Sequence, residues 1–511
     1  MKKIAHLLLG RLCFIGLSIV LQVVWMCLVL WQFSDRFTYV NLAIRAIAII
    51  VVLVIVNRWI NPANKLSWTF LLLLSPVFGM TIYLLFGRSK LTKRTRERME
   101  AINTEVSAYL AGNTAVAEAL KAEDMPAYRQ AKYIDDWGHF PLYRNTDTRY
   151  YRCGEEMFPD MLEAMRSAEH FIFLEYFIIE EGYMFQIMAD ILAEKVREGV
   201  EVRLIYDDVG CISKLPPQYY KKLQKKGVKC AAFNPFRPIV SVVMNNRDHR
   251  KILVVDGNVG FTGGINLADE YINRVHRFGY WKDTGVRIEG EGVWSLTNMF
   301  LSMWNYIVRS TEDYRAFMPS VHQKTSFADD GYVQPYGDSP LDHENVGETI
   351  YLNMISKARD YVYIFTPYLI VDHEMMVTLC NAAKCGVDVR IVTPGIPDKK
   401  MVFLLTQSYY GPLIRAGVKV YQYTPGFLHA KCFVCDDKIA TVGSVNLDFR
   451  SLYLHFECGV WMYRSKAVMQ VKEDFLETFS CSEEITLEFC RNRILPVRML
   501  QSVLRLMAPL L

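Results

Sequence analysis

His249-Arg250-Lys251-Ile252-Leu253-Val254-Val255-Asp256 and His429-Ala430-Lys431-Cys432-Phe433-Val434-Cys435-Asp436 carry one His-x-Lys-x4-Asp spacing twice in a chain of 511 residues. In each copy six residues separate the Asp from a turn of small residues, Gly263-Gly264-Ile265-Asn266 and Gly443-Ser444-Val445-Asn446. Side chains alternate along a strand, so His249 and Lys251 share one face, as do His429 and Lys431. Asp256 and Asp436 have the opposite parity and read as supports for the turn that follows. Glycine lets backbone approach closely there, and Asn266, Ser444 and Asn446 offer hydrogen bonds to an anion. One His-x-Lys on a strand is an ordinary surface or core position. Two with equal spacing and matching turns imply a duplicated chemical unit, suited to phosphoryl transfer through a covalent histidine.

The duplication extends outward. Ile172–Ile178 is echoed by Ile364–Ile370, and Gly199–Ile205 by Gly386–Val392. Stretches of helical period, Met184–Val196 and Met375–Lys384, lie between these echoes. Strand, helix, strand, connection, His-x-Lys strand and small-residue turn thus occur twice, an α/β pattern with sheets buried between helices.

This arrangement resembles the phospholipase D superfamily. Gly443–Glu457 (GSVNLDFRSLYLHFE), Gly263–Tyr271 (GGINLADEY) and Tyr280–Gly290 (YWKDTGVRIEG) look more narrowly like bacterial cardiolipin synthases. The resemblance implies two α/β sandwich lobes related by a pseudo-two-fold axis, with both motifs at one active site. It makes His249, Lys251, Asp256, His429, Lys431 and Asp436 the catalytic set, with Asn266, Ser444 and Asn446 binding phosphate. It suggests His249 as the nucleophile and His429 as the acid/base, although the near-symmetric halves alone do not distinguish them. Each imidazole needs an acceptor that fixes its tautomer, and the matching carboxylates, both in strand-like runs, are Asp283 and Glu457. His455 stands where related synthases often carry Asn. No metal or cofactor is implied, because lysines and amides can neutralise the phosphate.

The implied reaction moves a phosphatidyl group from one phosphatidylglycerol to the glycerol hydroxyl of another, giving cardiolipin and glycerol. Hydrolysis, another donor such as phosphatidylethanolamine, or a lipid-binding scaffold are the alternatives. A scaffold would typically have lost a motif His or Lys, and all four are present. The net charge of +4 gives no field for a nucleic-acid partner. Twelve cysteines suggest disulfides or zinc, but Cys432 and Cys435 would face opposite ways on a strand, so packing in a reduced domain is expected.

The hydrophobic fraction of 51% is high, and much of the excess lies at the front. Leu12–Trp31, Val40–Val56 and Trp68–Phe86 are candidate transmembrane helices for a bilayer core of about 30 Å, the third broken by Pro76 and Gly79. Basic residues from Arg88 to Arg98 favour a cytoplasmic-facing catalytic region, while Lys2, Lys3, Arg11, Arg58 and Lys65 favour the reverse for three crossings. The expected organisation is a membrane region over 1–90, a helical connector over 91–130, a first lobe over 131–320 and a linker over 321–346. A second lobe over 347–492 and an amphipathic tail over 493–511 complete it. The tail alternates Arg with apolar residues and suits either the membrane interface or the domain surface.

Overall fold

The computed structural model describes residues 24, 38–58, 60–87, 93–110, 112–235, 246–310, 312–318, 330–342 and 344–510. Two mixed sheets form its frame. The first runs in the order Thr146–Tyr151, Gly285–Gly290, Val259–Gly263, Lys251–Val255, Phe171–Tyr176, Glu201–Asp207 and Lys229–Phe233. The second repeats it strand for strand as Tyr332–Asp338, His455–Tyr463, Ile439–Gly443, Cys432–Cys435, Tyr361–Phe365, Asp388–Pro394 and Lys419–Tyr423, then adds Ser482–Glu484 at the edge. The duplicated α/β order is therefore the observed fold. The strand Tyr332–Asp338 lies within the run expected to be a linker and belongs to the second sheet, pairing antiparallel with His455–Tyr463. Its edge position accommodates Pro335, which has no amide to donate.

The expected helices form at Tyr183–Arg197 and His373–Lys384. Asp372 caps the latter by accepting from the Met375 amide at 2.9 Å. They cover the outer faces of their sheets. The inner faces share one apolar core, in which Phe173, Ile252 and Ile288 of the first sheet join Phe365, Val434 and Val460 of the second. The helix Val293–Val308 is buried along most of its length in that core, and its buried Thr297, Asn298 and Ser302 donate to carbonyls of the preceding turn. Cys432 and Cys435 face different cores, as their alternation predicts, and both remain free thiols.

Two expectations need correction. The third transmembrane candidate is two helices, Pro62–Leu74 and Pro76–Phe86, which break at Ser75 before Pro76. Thirteen residues rise about 20 Å, short of the hydrocarbon thickness. Val40–Val56 lies in the helix Thr38–Val56, and among the described residues no helix is long and apolar enough to cross a membrane. Leu12–Trp31 falls outside the described residues except at Val24. The helices Lys93–Ser107, Thr114–Glu123 and Met125–Gly138 follow, the last running past residue 130.

The second correction concerns the motif carboxylates. Asp256 accepts from the amides of Glu169, His170 and Phe171 at 2.8, 2.8 and 2.7 Å, and Asp436 from those of Arg359, Asp360 and Tyr361 at 2.8, 2.9 and 3.0 Å. Each therefore fastens the entry of the neighbouring strand, not the turn that follows it. Both residues have positive φ, 49° and 52°, a conformation that short polar side chains tolerate.

Candidate active site

Backbone from opposite lobes brings the two motifs together. Arg247-Asp248 pairs in parallel with His455-Phe456, and the His249 amide then donates to the Phe456 carbonyl at 2.9 Å. In the other half, Tyr280–Lys282 pairs in parallel with Gly426–Leu428, and the His429 amide donates to the Lys282 carbonyl at 2.7 Å. Buried ion pairs anchor both lead-ins, Arg247 with Asp207 at 3.3 Å and Lys282 with Asp474 at 2.6 Å. The regular strands begin at Lys251 and Cys432, so each histidine sits just ahead of the strand expected to hold it.

The carboxylates cross between lobes as well. Nδ1 of His249 lies 2.9 Å from both oxygens of Glu457, and Nδ1 of His429 lies 2.6 Å from Oδ2 of Asp283. Both carboxylates are 0% exposed, so each is a buried charge that a specific partner must satisfy. Glu457 also accepts from the hydroxyls of Ser444 and Ser451, each at 2.5 Å. Asp283 occupies the break between Tyr280–Lys282 and Gly285–Gly290, not a strand. A Cβ on Gly264 would stand 2.0 Å from its Oδ1, so this glycine makes room for the carboxylate. Ser444 occupies the matching position in the second turn and adds a hydroxyl to its carboxylate instead.

The expected phosphate ligands divide. Asn266 is engaged on both sides, accepting from the Ile178 amide at 3.0 Å and donating to the Tyr271 hydroxyl at 2.8 Å. Ser444 is spent on Glu457. Neither side chain is free for phosphate in this arrangement. Asn446 keeps a buried Oδ1 without a hydrogen-bond partner; that atom is an acceptor and does not bind a phosphate oxygen, so of this side chain only Nδ2 can donate to one. Ser451 was not marked by any spacing in the sequence. The same is true of the aromatic walls, with Phe177 4.9 Å from His249, and Tyr271 and Trp281 5.6 and 5.4 Å from His429, centroid to centroid.

Burial sets the electrostatics. It pushes His249 down to about 3 against the pull of Glu457, and His429 down to about 4, with Lys431 adding to the fall and Asp283 opposing it. Both rings are therefore neutral at pH 7. Lys251 falls to about 7 and Lys431 to about 8, in each case chiefly through burial. Lys431 further depresses Lys251, and Lys251 further depresses His429, so charges from both lobes act on one centre. Burial alone would raise Asp283, but Lys431 and His429 outweigh it and hold the carboxyl below its ordinary range. Glu457 is likewise held low, His249 overcoming burial.

His249, His455 and Glu457 bring three donor atoms within 4.8 Å of one another. Glu457 is already engaged by an imidazole and two hydroxyls, which satisfy its buried charge without a metal ion. His455 lies 3.7 Å from Glu457, beyond hydrogen-bond length, and both its ring nitrogens are buried without a hydrogen-bond partner.

Residues 161–304 and 351–479 match the family described as "Cardiolipin synthase, PLD-like domain", and residues 46–88 match "Phospholipase D-nuclease N-terminal". A cardiolipin synthase of Halalkalibacterium halodurans is 35% identical over 92% of this chain and 93% of its own. An uncharacterized protein of Streptococcus mutans is 46% identical over 90% of this chain and 99% of its own. The phosphatidylserine synthase of Haemophilus influenzae shares the fold, with a TM-score of 0.54 at 14% identity over 75% of this chain and 98% of that one. With two interlocked lobes, paired His-x-Lys motifs and relatives matched along nearly its whole length, the chain belongs to the cardiolipin synthase family of phospholipase D-like proteins.

Proposed function

We propose that this protein is a phosphatidyltransferase that makes cardiolipin and glycerol from two molecules of phosphatidylglycerol. The observation that carries the mechanism is the crossed pair of carboxylates. Each holds Nδ1 of one imidazole, which leaves Nε2 of both rings for chemistry. Neutral His249 attacks phosphorus through Nε2 and the bond to the glycerol headgroup breaks. The departing oxygen takes a proton from His429. The glycerol hydroxyl of a second phosphatidylglycerol then gives its proton to His429 and attacks phosphorus, releasing His249.

In the free site His429 is also neutral, so it must gain its proton as the anionic phosphodiester enters. A phosphate beside the ring favours the imidazolium, by the same electrostatics through which Lys251 and Lys431 disfavour it. The two ammonium groups neutralise the equatorial oxygens, and Asn446 donates to one of them through Nδ2. Burial keeps water from competing with the lipid alcohol. The exposed apolar side chains of Thr38–Val56, among them Leu42, Ile50 and Leu53, suit attachment to the bilayer that holds both substrates. We place the catalytic lobes on its cytoplasmic side.

Phosphatidylglycerol alone, incubated with the detergent-solubilised protein, tests the reading. Cardiolipin and glycerol in equal amounts are expected. Phosphatidic acid as the main product would replace transfer by hydrolysis, and the absence of any product would remove the enzymatic assignment.

A further inference from the structure

A second basic feature lies outside the reaction centre. Arg415, Arg491, Arg493, Arg498 and Arg505 line one cavity of about 330 Å³ between the helix Lys400–Arg415 and the C-terminal helix Leu495–Met507. No carboxylate lines it, and none of the five forms an ion pair among the described residues. Uncharged partners hold two of them in place. Arg493 donates to Gln407 at 2.9 Å and lies 4.3 Å from the Phe489 ring, and Arg505 lies 4.8 Å from the ring of Tyr409. Five guanidinium groups around one void repel each other unless an anion enters, and their planar donors fit phosphate oxygens in pairs.

The same helix says which anion. Arg498, Ser502 and Arg505 recur at helical spacing on the cavity side, while Leu495, Met499 and Val503 recur every four residues on the adjoining face. Those three apolar side chains are 67%, 63% and 59% exposed. The opposite side is fastened inward through buried Leu504, and Ser67 donates to the Leu506 carbonyl at 2.6 Å. That contact joins the helix to Pro62–Leu74, which itself exposes Leu66, Phe70, Leu73 and Leu74. An arginine cavity bordered by exposed apolar side chains matches a molecule with an anionic head and hydrocarbon tails.

We infer that this cavity is a binding site for an anionic phospholipid of the bilayer, separate from the catalytic centre. The phosphate is bound by Arg498, Arg505 and Arg415, and the acyl chains lie along Leu495, Met499 and Val503. The site seats the C-terminal helix in the plane of the membrane surface.

The test uses the full chain in an uncharged detergent, photolabelled with a phosphatidic acid that carries a diazirine in its acyl chain, with adducts mapped by peptide mass spectrometry. Labelling is expected on peptides from 400–415 and 487–507. R498Q/R505Q should reduce it about tenfold or more, while labelling of peptides around His249 and His429 persists. M499S/V503S should reduce it without touching a charge. All four side chains are exposed, so both variants should keep the wild-type unfolding temperature. Undiminished labelling in R498Q/R505Q overturns the proposal. Full labelling in M499S/V503S that millimolar inorganic phosphate abolishes assigns the cavity to free phosphate and also overturns it.

Discussion

Both oxygens of Glu457, on the second lobe, lie 2.9 Å from Nδ1 of His249 on the first, across 208 residues of sequence. The carboxylate holds Nδ1 and leaves Nε2, the nitrogen that attacks phosphorus in the proposed mechanism. Glu457→Gln preserves shape but offers an amide that can present the wrong group to the ring. It should lower kcat by about 10²- to 10⁴-fold with little change in KM. Asp283→Asn should do the same through His429. The double variant should fall little further than the worse single one, because both act on one sequence of proton transfers. A multiplicative loss in rapid-quench assays would refute this coupling.

Gly264→Ala should disable the enzyme without touching a reacting group. Its methyl would stand 2.0 Å from Oδ1 of Asp283, so the carboxylate must leave Nδ1 of His429. Activity should drop nearly as far as in Asp283→Asn. If turnover on phosphatidylglycerol stays near wild type, the glycine is not there for the carboxylate.

Asp256→Ala should cost stability more than catalysis. It removes the acceptor of three amides beside a buried strand, worth about 2–4 kcal/mol. The more exposed Asp436 should cost less on the same change. Urea unfolding midpoints should fall in that order, while specific activity of the folded protein is retained. Inactive but fully stable variants would return these residues to the chemistry.

Activity should decline on the alkaline side as Lys251 and then Lys431 lose their protons near about 7 and about 8. A limb in kcat/KM that starts above pH 9 would mean that the lysines stay charged and are not the groups observed.

Stability should move the other way with pH. Burial lowers His249 and His429 from an ordinary 6.5 to about 3 and about 4, so the unfolded chain binds protons more readily than the folded one. Stability on this account is retained above pH 6.5 and is lost as pH falls from there towards 4 and 3. His249→Asn/His429→Asn should therefore lose less stability between pH 7 and pH 5 than the wild type. Equal losses would place the acid sensitivity elsewhere.

The duplicated frame was legible because it is written in local patterns. Gly199–Ile205 and Gly386–Val392 share a strand's apolar alternation, and the two motifs share a spacing. Asp283 and Glu457 were singled out through runs that resemble a family. What no local pattern could carry was the exchange between lobes. Register between Arg247-Asp248 and His455-Phe456 depends on how two finished sheets dock. The same holds for Asn266 and Ser444, which look like free donors in sequence and find partners only after folding. The break at Ser75 was a different failure. An apolar run with one Pro fits a kinked helix as well as two short ones, and packing chose the second.

The short parallel pairings at Arg247-Asp248 and Gly426–Leu428 mean that each imidazole is seated by peptide backbone from the other half of the molecule. A nascent or nicked polypeptide that ends before Gly426 carries the first histidine and lysine but lacks the acid that steers them. Such a fragment has no half-strength hydrolase to unleash. For a cell whose envelope is built from the very ester linkages this chemistry cleaves, the weapon is assembled only when the whole chain is.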